Sequence, residues 1–311
     1  MQRLTENKII LITRTTRLEE LVARFNTLGQ AKFYLEHSGA SFADYEIEHS
    51  NYKAALQDTE MQLRALGRVQ VLDRVFLTNF VFGDEDLVVV LGQDGLVANT
   101  LKYLREHPVI AVNPDPARWD GVLLPFGVND VSKIVIDLFA RKRSIREISM
   151  AKAALNNGQI LYGVNDLFIG PRSHISARYQ ISIGSKKEHQ SSSGIIVSTG
   201  LGSTGWLKSI LAGARGIGST FGKGFEPDIL KTFKWESDYL YYTVREPFPS
   251  KSSEATLVFG KVTPKQPLTL VSQMPEKGVI FSDGIEADYL EFNSGTEAKI
   301  TLAEKKGHLV V

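Results

Sequence analysis

No cysteine occurs in the 311 residues. Disulfides, thiolate metal sites and cysteine nucleophiles are thereby excluded, and a thiol-free chain is at home in a reducing compartment. Charge of one sign is lacking too: 36 Lys and Arg face 35 Asp and Glu, a formal net charge of +1. No global field draws such a chain to nucleic acid or to an anionic membrane, so an anionic ligand must be held by local groups. No apolar run approaches the roughly 18 residues of a spanning helix. The opening Met1-Gln2-Arg3-Leu4-Thr5-Glu6-Asn7 is too short and too polar for a signal or transit peptide. Cytoplasmic residence is the default expectation, with neither nucleic acid nor membrane as partner. No two of the histidines (His37, His49, His107, His174, His189, His308) stand at metal-ligand spacing, so no protein metal cage is expected. A Walker A motif and a kinase His-Arg-Asp loop are both missing, which removes the two commonest phosphoryl-transfer signatures.

What is present is an ordinary globular balance of 43% hydrophobic and 23% charged residues, which argues against disorder. The length favours two domains, each with its own core. Lys8–Thr13 (KIILIT) is a short β-branched run that reads as a buried parallel strand. Thr16–Phe25 follows with apolar positions at helical spacing. Leu87–Leu91 is a second buried strand ending at Gly92, a helix is expected over Val97–Leu104, and Val109–Val112 is a third strand stopped by Asn113-Pro114. This alternation predicts a doubly wound, mostly parallel α/β sheet, with ligands outside the carboxyl ends of its strands. The loops after Thr13, Leu91 and Val112 are therefore the candidates.

Beyond about residue 140 short runs recur between turn residues: Leu167–Ile169, Tyr179–Ile183, Gly194–Ser198 and Thr256–Phe259. That spacing predicts a β-rich, sandwich-like unit. The expected division is an α/β nucleotide-binding domain over 1–140 and a β-rich domain over 141–311, bridged by a helix over Val128–Ala140. The basic Arg141-Lys142-Arg143 reads as a solvated helix end. The Gly- and Phe-rich stretch Arg215–Lys231 is expected to be a mobile loop.

Four motifs carry possible chemistry. In Leu91-Gly92-Gln93-Asp94-Gly95-Leu96 a strand runs into a glycine-bracketed Asp and then a helix. Gly92 and Gly95 let a phosphate or ribose approach the backbone, the helix start offers free N–H groups, and Asp94 can act as a base or orient a hydroxyl. Taken alone the same residues make a tight turn and a cap. Gly200-Leu201-Gly202-Ser203-Thr204-Gly205 fits the G-x-G-x-x-G fingerprint literally but lies in the β-rich half without a βαβ unit, so a Rossmann reading is rejected. Its small residues and hydroxyls can still cradle a phosphate or ribose-linked group, or simply join a strand to a helix. Asn165-Asp166 after Gly163-Val164 can bracket a diol or form a common turn. Asp283-Gly284 between two apolar runs is a hairpin signal.

In this order, Gly92-Gln93-Asp94-Gly95, Asn113-Pro114-Asp115-Pro116, Asn165-Asp166 and Gly202-Ser203-Thr204-Gly205-Trp206 resemble the NAD kinase family over nearly the whole chain. The closest fit is its mitochondrial-type branch, through Arg14-Thr15-Thr16-Arg17, Ser192-Ser193-Gly194 and Arg245-Glu246-Pro247. The resemblance implies ATP-dependent phosphorylation of the adenosine-ribose 2′-hydroxyl of NAD to give NADP, with Mg²⁺ carried by the nucleotide and the chain acting as a homodimer. It makes Asp94 the catalytic acidic residue, with Gly92 and Gly95 beside it. Asn165 and Asp166 match the Asn-Glu pair that holds ribose hydroxyls. Thr199, Gly202, Ser203 and Thr204 match the segment beside the dinucleotide, and Trp206 the aromatic ring that packs on it. Two departures stand out: Gln93 replaces a glycine and Leu96 replaces a threonine of the family's motif. The readings set against the kinase are a non-catalytic dinucleotide-sensing module and a lipid or sphingoid-base kinase of the related family.

Overall fold

A computed structural model describes residues 3–222 and 233–311. The chain forms two compact units, one of Met1–Arg146 with His308–Val311 and the other of Glu147–Gly307.

The first unit is an α/β layer structure. Its strands are β1 (Lys8–Thr13), β2 (Arg68–Asp73), β3 (Leu87–Leu91), β4 (Pro108–Asn113) and the two-residue β5 (Phe126–Gly127). They pair in parallel in the order β2-β1-β3-β4, with β5 on the far side of β4. Every residue of Leu87–Leu91 is buried, because helices cover both faces and leave no solvent side to read as polar. Ile9, Leu11, Val89 and Leu91 pack on one face with Tyr52, Ala55 and Leu63 of α3 (Phe42–Leu66) and with Val131, Ile134 and Val135 of α5 (Val131–Phe139). Three further helices complete the unit: α1 (Arg17–Phe25), α2 (Leu28–His37) and α4 (Asp94–Leu101). Thr16 starts α1 with a capping box, its side chain accepting from Glu19 N–H while Glu19 reaches back. The expected helix over Val97–Leu104 begins earlier, at Asp94, and stops at Leu101. The expected bridge helix Val128–Ala140 is a 3₁₀ turn over Val128–Asp130 followed by α5.

The second unit is a sandwich of two antiparallel sheets. One contains β6 (Ile145–Leu155), β7 (Ile160–Gly163), β9 (Ala177–Ile183), β10 (Lys186–Ser192), β14 (Leu268–Ser272) and the body of β17 (Glu297–Val310). The other has the order β13-β12-β11-β8-β15-β16, from β8 (Asp166–Pro171), β11 (Ile195–Ser198), β12 (Leu240–Val244), β13 (Phe259–Val262), β15 (Gly278–Ser282) and β16 (Ile285–Glu291). Tyr179, Ile181, Leu268 and Ile300 from the first sheet meet Leu167, Ile169, Val197 and Ile280 from the second in one core. Strand alternation then turns Phe168 and Ile196 to the outer face, where Trp206 and Ile210 of α6 (Trp206–Thr220) cover them.

Two expectations are corrected. Arg215–Thr220, read as part of a mobile loop, forms the last turns of α6, and 223–231 of that stretch lie outside the described residues. In Thr256–Phe259, read as a strand, only Phe259 belongs to one, although Val258 still accepts the N–H of Val244.

Candidate active site

In the first unit the chemistry gathers at the carboxyl ends of the parallel strands. The residue after β1, Arg14, is buried and donates its backbone N–H to the Tyr52 hydroxyl at 2.9 Å. Tyr52 passes its own hydrogen to the Leu91 carbonyl at 3.1 Å. Burial pushes the Tyr52 hydroxyl up to about 12, so it remains a donor at all working pH. The Arg14 guanidinium lies 4.7 Å over the same ring and pairs with Glu48, which also takes Arg17 Nε at 3.1 Å. Asp44 binds Arg118 at 2.7 Å and Arg17 at 3.0 Å, and those two guanidinium groups hold its carboxyl at about 2. The loop after β1 is thus tied to α3 by charged pairs and by the neutral Tyr52 hydroxyl, and the end of β3 by that hydroxyl alone.

Gly92 leaves no space for a side chain, since an added Cβ would lie 2.7 Å from Leu96 Cδ2. Leu96 is buried against it, inside the fold. Asp94 opens α4, and both its oxygens are engaged: Oδ1 accepts Leu123 N–H at 2.8 Å and Oδ2 accepts Val122 N–H at 3.2 Å. Asn113 completes the same loop, accepting from Asp115 N–H at 3.0 Å and donating to the Trp119 carbonyl at 2.9 Å. Asp94 and Asn113 together therefore organise the chain between β4 and β5. Around Gly95 an added Cβ would meet nothing within 4 Å, so backbone is accessible at the start of α4.

In the second unit the turn Val164-Asn165-Asp166 is clamped from two sides. Asp283 Oδ1 accepts the N–H of Val164 at 3.0 Å and of Asn165 at 2.6 Å. Thr199 Oγ1 donates to the Val164 carbonyl at 2.6 Å and lies 3.1 Å from that of Asn165. Gly202 presses on the same peptide, where an added Cβ would sit 2.0 Å from the Asn165 oxygen. Asn165, Asp166, Thr199 and Gly202 are therefore brought together. Ser203 turns inward to donate to the Gly200 carbonyl at 2.7 Å, whereas Thr204 is exposed. Trp206 stacks on Phe168 at 5.8 Å and 4°, with the Arg245 guanidinium 5.4 Å from its own ring. The Asp166 carboxyl is pushed up to about 7, first by burial and then by the Asp283 charge.

Sequence reading took Asp283 for a hairpin residue and missed its second role at this site. Its Asp-Gly pair does make the hairpin between β15 and β16, with φ of 56° and 70°, but its carboxylate also reaches across to the Asn165 turn. Nothing in a local turn signal announces the second task. The loop bearing Gly200 to Gly205 follows an antiparallel strand, β11, in keeping with the rejection of the Rossmann reading.

No family model matches the sequence, and no curated protein matches it. Among solved structures the fold is that of the NAD kinases. It is similar to a yeast NADH kinase complexed with NADH, at a TM-score of 0.56 and 14% identity, covering 99% of this chain and 84% of that one. It is similar also to an NAD kinase from Archaeoglobus fulgidus in complex with ATP, at 0.55 and 14% identity, covering 97% and 92%.

Proposed function

We propose that the chain is an NAD kinase, transferring the terminal phosphoryl group of ATP, entering as its Mg²⁺ complex, to the adenosine-ribose 2′-hydroxyl of NAD. The observation that carries this reading is the clamped turn of the second unit. An amide and a carboxyl on adjacent residues, Asn165 and Asp166, are held by Asp283, Thr199 and Gly202, which is the preparation a diol ligand needs. Trp206 offers a ring beside it, and Thr204 an exposed hydroxyl. The first unit contributes Gly92, Asp94 and Gly95 at the strand end where an α/β sheet binds nucleotide. Phosphoryl transfer asks mainly for positioning and charge stabilisation, which side chains and backbone groups of these kinds can supply. On this reading residues 1–140 bind the donor nucleotide and 141–311 the dinucleotide. The buried Arg14–Glu48 pair belongs to the Arg14-Thr15-Thr16-Arg17 stretch that favours the mitochondrial-type branch. A homodimer is part of the proposal, checked by light scattering after size exclusion.

One observation favours a second reading, a module that binds the dinucleotide without phosphorylating it: both Asp94 oxygens are already engaged by backbone N–H groups. The test is NADP formation from NAD, ATP and Mg²⁺ with wild type and Asp94→Asn, alongside direct measurement of NAD binding. Turnover by the wild type with most of it lost in Asp94→Asn supports the kinase. NAD binding without any NADP supports the second reading.

A further inference from the structure

The second unit carries a polar pocket on its other sheet, at the outer face of β9 and β10. Tyr179 of β9 and Gln190 of β10 stand opposite each other and turn inward. Alternation therefore turns Arg178, opposite Ser191, and Gln180, opposite His189, to the outer face. The loop after β12 runs back along β10, where Phe248 N–H donates to the Ser191 carbonyl and Glu254 N–H to the His189 carbonyl, both at 2.8 Å. Between those two ties the turn over residues 250–253 closes on itself, Ser250 N–H donating to the Ser253 carbonyl at 2.9 Å. Arg178, His189 and Ser191 of the sheet and Ser250, Ser252 and Ser253 of the turn line one pocket of about 260 Å³.

The walls of this pocket are held in place, yet donors are left over. Ser253 Oγ donates to the Phe248 carbonyl at 2.7 Å, so its 2.7 Å contact with Ser250 Oγ is a bond donated by Ser250. Ser250 Oγ in turn accepts Ser252 N–H at 3.2 Å. The His189 ring is fixed between two amides, its Nδ1 2.9 Å from Gln273 Nε2 and its Nε2 3.0 Å from Gln180 Nε2. The Arg178 guanidinium and the Ser191 hydroxyl, by contrast, have no partner among the described residues, and Lys251 of the turn has no ion pair among them. Of the described residues lining the pocket, Phe248 is the one apolar side chain and none is a carboxylate. A guanidinium fork and hydroxyl donors, with no negative charge to compete for them, match a tetrahedral oxyanion.

We propose that this pocket binds a phosphate group, carried either by inorganic phosphate or by a phosphate monoester. Arg178 supplies the charge and a bidentate fork, the Ser191 and Ser252 hydroxyls supply further donors, and His189 forms a wall beside the anion. Arg178, Ser250 and Ser252 are exposed, so the mouth is open to the remainder of a small phosphorylated molecule. None of these residues has a part in the kinase reading, and the site does not depend on it.

The test follows the histidine ring signals of the full chain by NMR at constant pH, during titration with inorganic phosphate, with ribose 5-phosphate, and with sodium chloride to equal ionic strength. The His189 signal is assigned by its loss in His189→Gln. The expected result is a His189 signal that moves saturably with a phosphate compound and stays in place with chloride. Arg178→Gln, an exposed change that circular dichroism should show to be folded, is expected to raise the half-saturating concentration about 10-fold or more. Tighter binding of ribose 5-phosphate makes a monoester the occupant, and tighter binding of inorganic phosphate makes it the free ion. A His189 signal that neither phosphate compound moves, that chloride moves equally, or that saturates at the same concentration in Arg178→Gln overturns the site. NADP formation is not the readout, so failure here leaves the kinase reading standing, and a chain that makes no NADP leaves the pocket standing.

Discussion

Asp283 Oδ1 accepts the backbone N–H of Asn165 at 2.6 Å, across 118 positions of sequence. Removing that carboxylate leaves the N–H groups of Val164 and Asn165 without their acceptor, at roughly 1–3 kcal/mol. Alanine adds strain, because position 283 has φ 56°. Asp283→Ala is therefore expected to unfold at clearly lower urea and to bind NAD weakly. Asp283→Asn, which tolerates the left-handed turn and keeps one acceptor oxygen, should lose about half as much. Equal losses in the two variants, read from urea midpoints, would remove the clamp from the argument.

The Asp166 carboxyl, at about 7, lies above its ordinary 3.8. Between those values the folded chain binds more protons than the unfolded one, so stability falls as pH rises through the window and stays low above it. Asp166→Asn removes the buried charge. Its Tm at pH 8 is expected to exceed wild type by about 2–4 °C, the two converging near pH 4. A Tm at pH 8 equal to or below wild type would show that Asp166 ionises without penalty.

Two glycines of the motifs should behave in opposite ways. Gly202→Ala drives a methyl to 2.0 Å from the Asn165 oxygen, so the peptide must move and the clamp opens. Loss of NAD binding and a destabilisation of about 2–4 kcal/mol are expected, as for other forced overpacking. Gly95→Ala meets nothing within 4 Å in the first turn of α4 and should raise stability by about 0.5–1 kcal/mol. If Gly95→Ala also lowers donor affinity, measured by titration with ATP, the open backbone there is used by the nucleotide.

Tyr52 joins the ends of β1 and β3 through one hydroxyl. Tyr52→Phe leaves the ring in place under Arg14 but strands the Leu91 carbonyl, costing about 1–3 kcal/mol. The check is hydrogen exchange, which should quicken at the backbone N–H of Arg14 and leave the second unit unchanged.

Much of the first unit was legible because a parallel strand buried on both faces has a distinct text. Lys8–Thr13 and Leu87–Leu91 stand where the runs of Val, Ile and Leu predicted them. Strand β2 was missed since RVQVLD is largely solvent-accessible and reads as a polar stretch. The 25-residue α3 was missed because its buried face includes Glu48 and Thr59, and its charged positions obscure the helical period. In the candidate site, residues close in sequence were readable: Asn165-Asp166 and the Gly200–Trp206 loop each carry a local signal. Long-range partners were not, since the groove that makes Gly202 obligatory is built by Asn165, and the fate of Asp94 depends on two backbone N–H groups near residue 122. The two departures from the family motif also differ in kind: Leu96 fills the fold over Gly92, whereas Gln93 sits at the N-cap of α4 without a capping hydrogen bond.

The last residues of β17 pair in parallel with β4, His308 beside Pro108 and Leu309 beside Val109. A ribosome making this chain completes β1 to β4 early and then synthesises the entire sandwich before releasing the residues that close the β4 edge. Until then the β4 edge at Pro108 and Val109, which β5 does not reach, is open to any passing strand. The order of synthesis therefore runs against the order of closure, because His308 and Leu309 follow the whole sandwich in the chain.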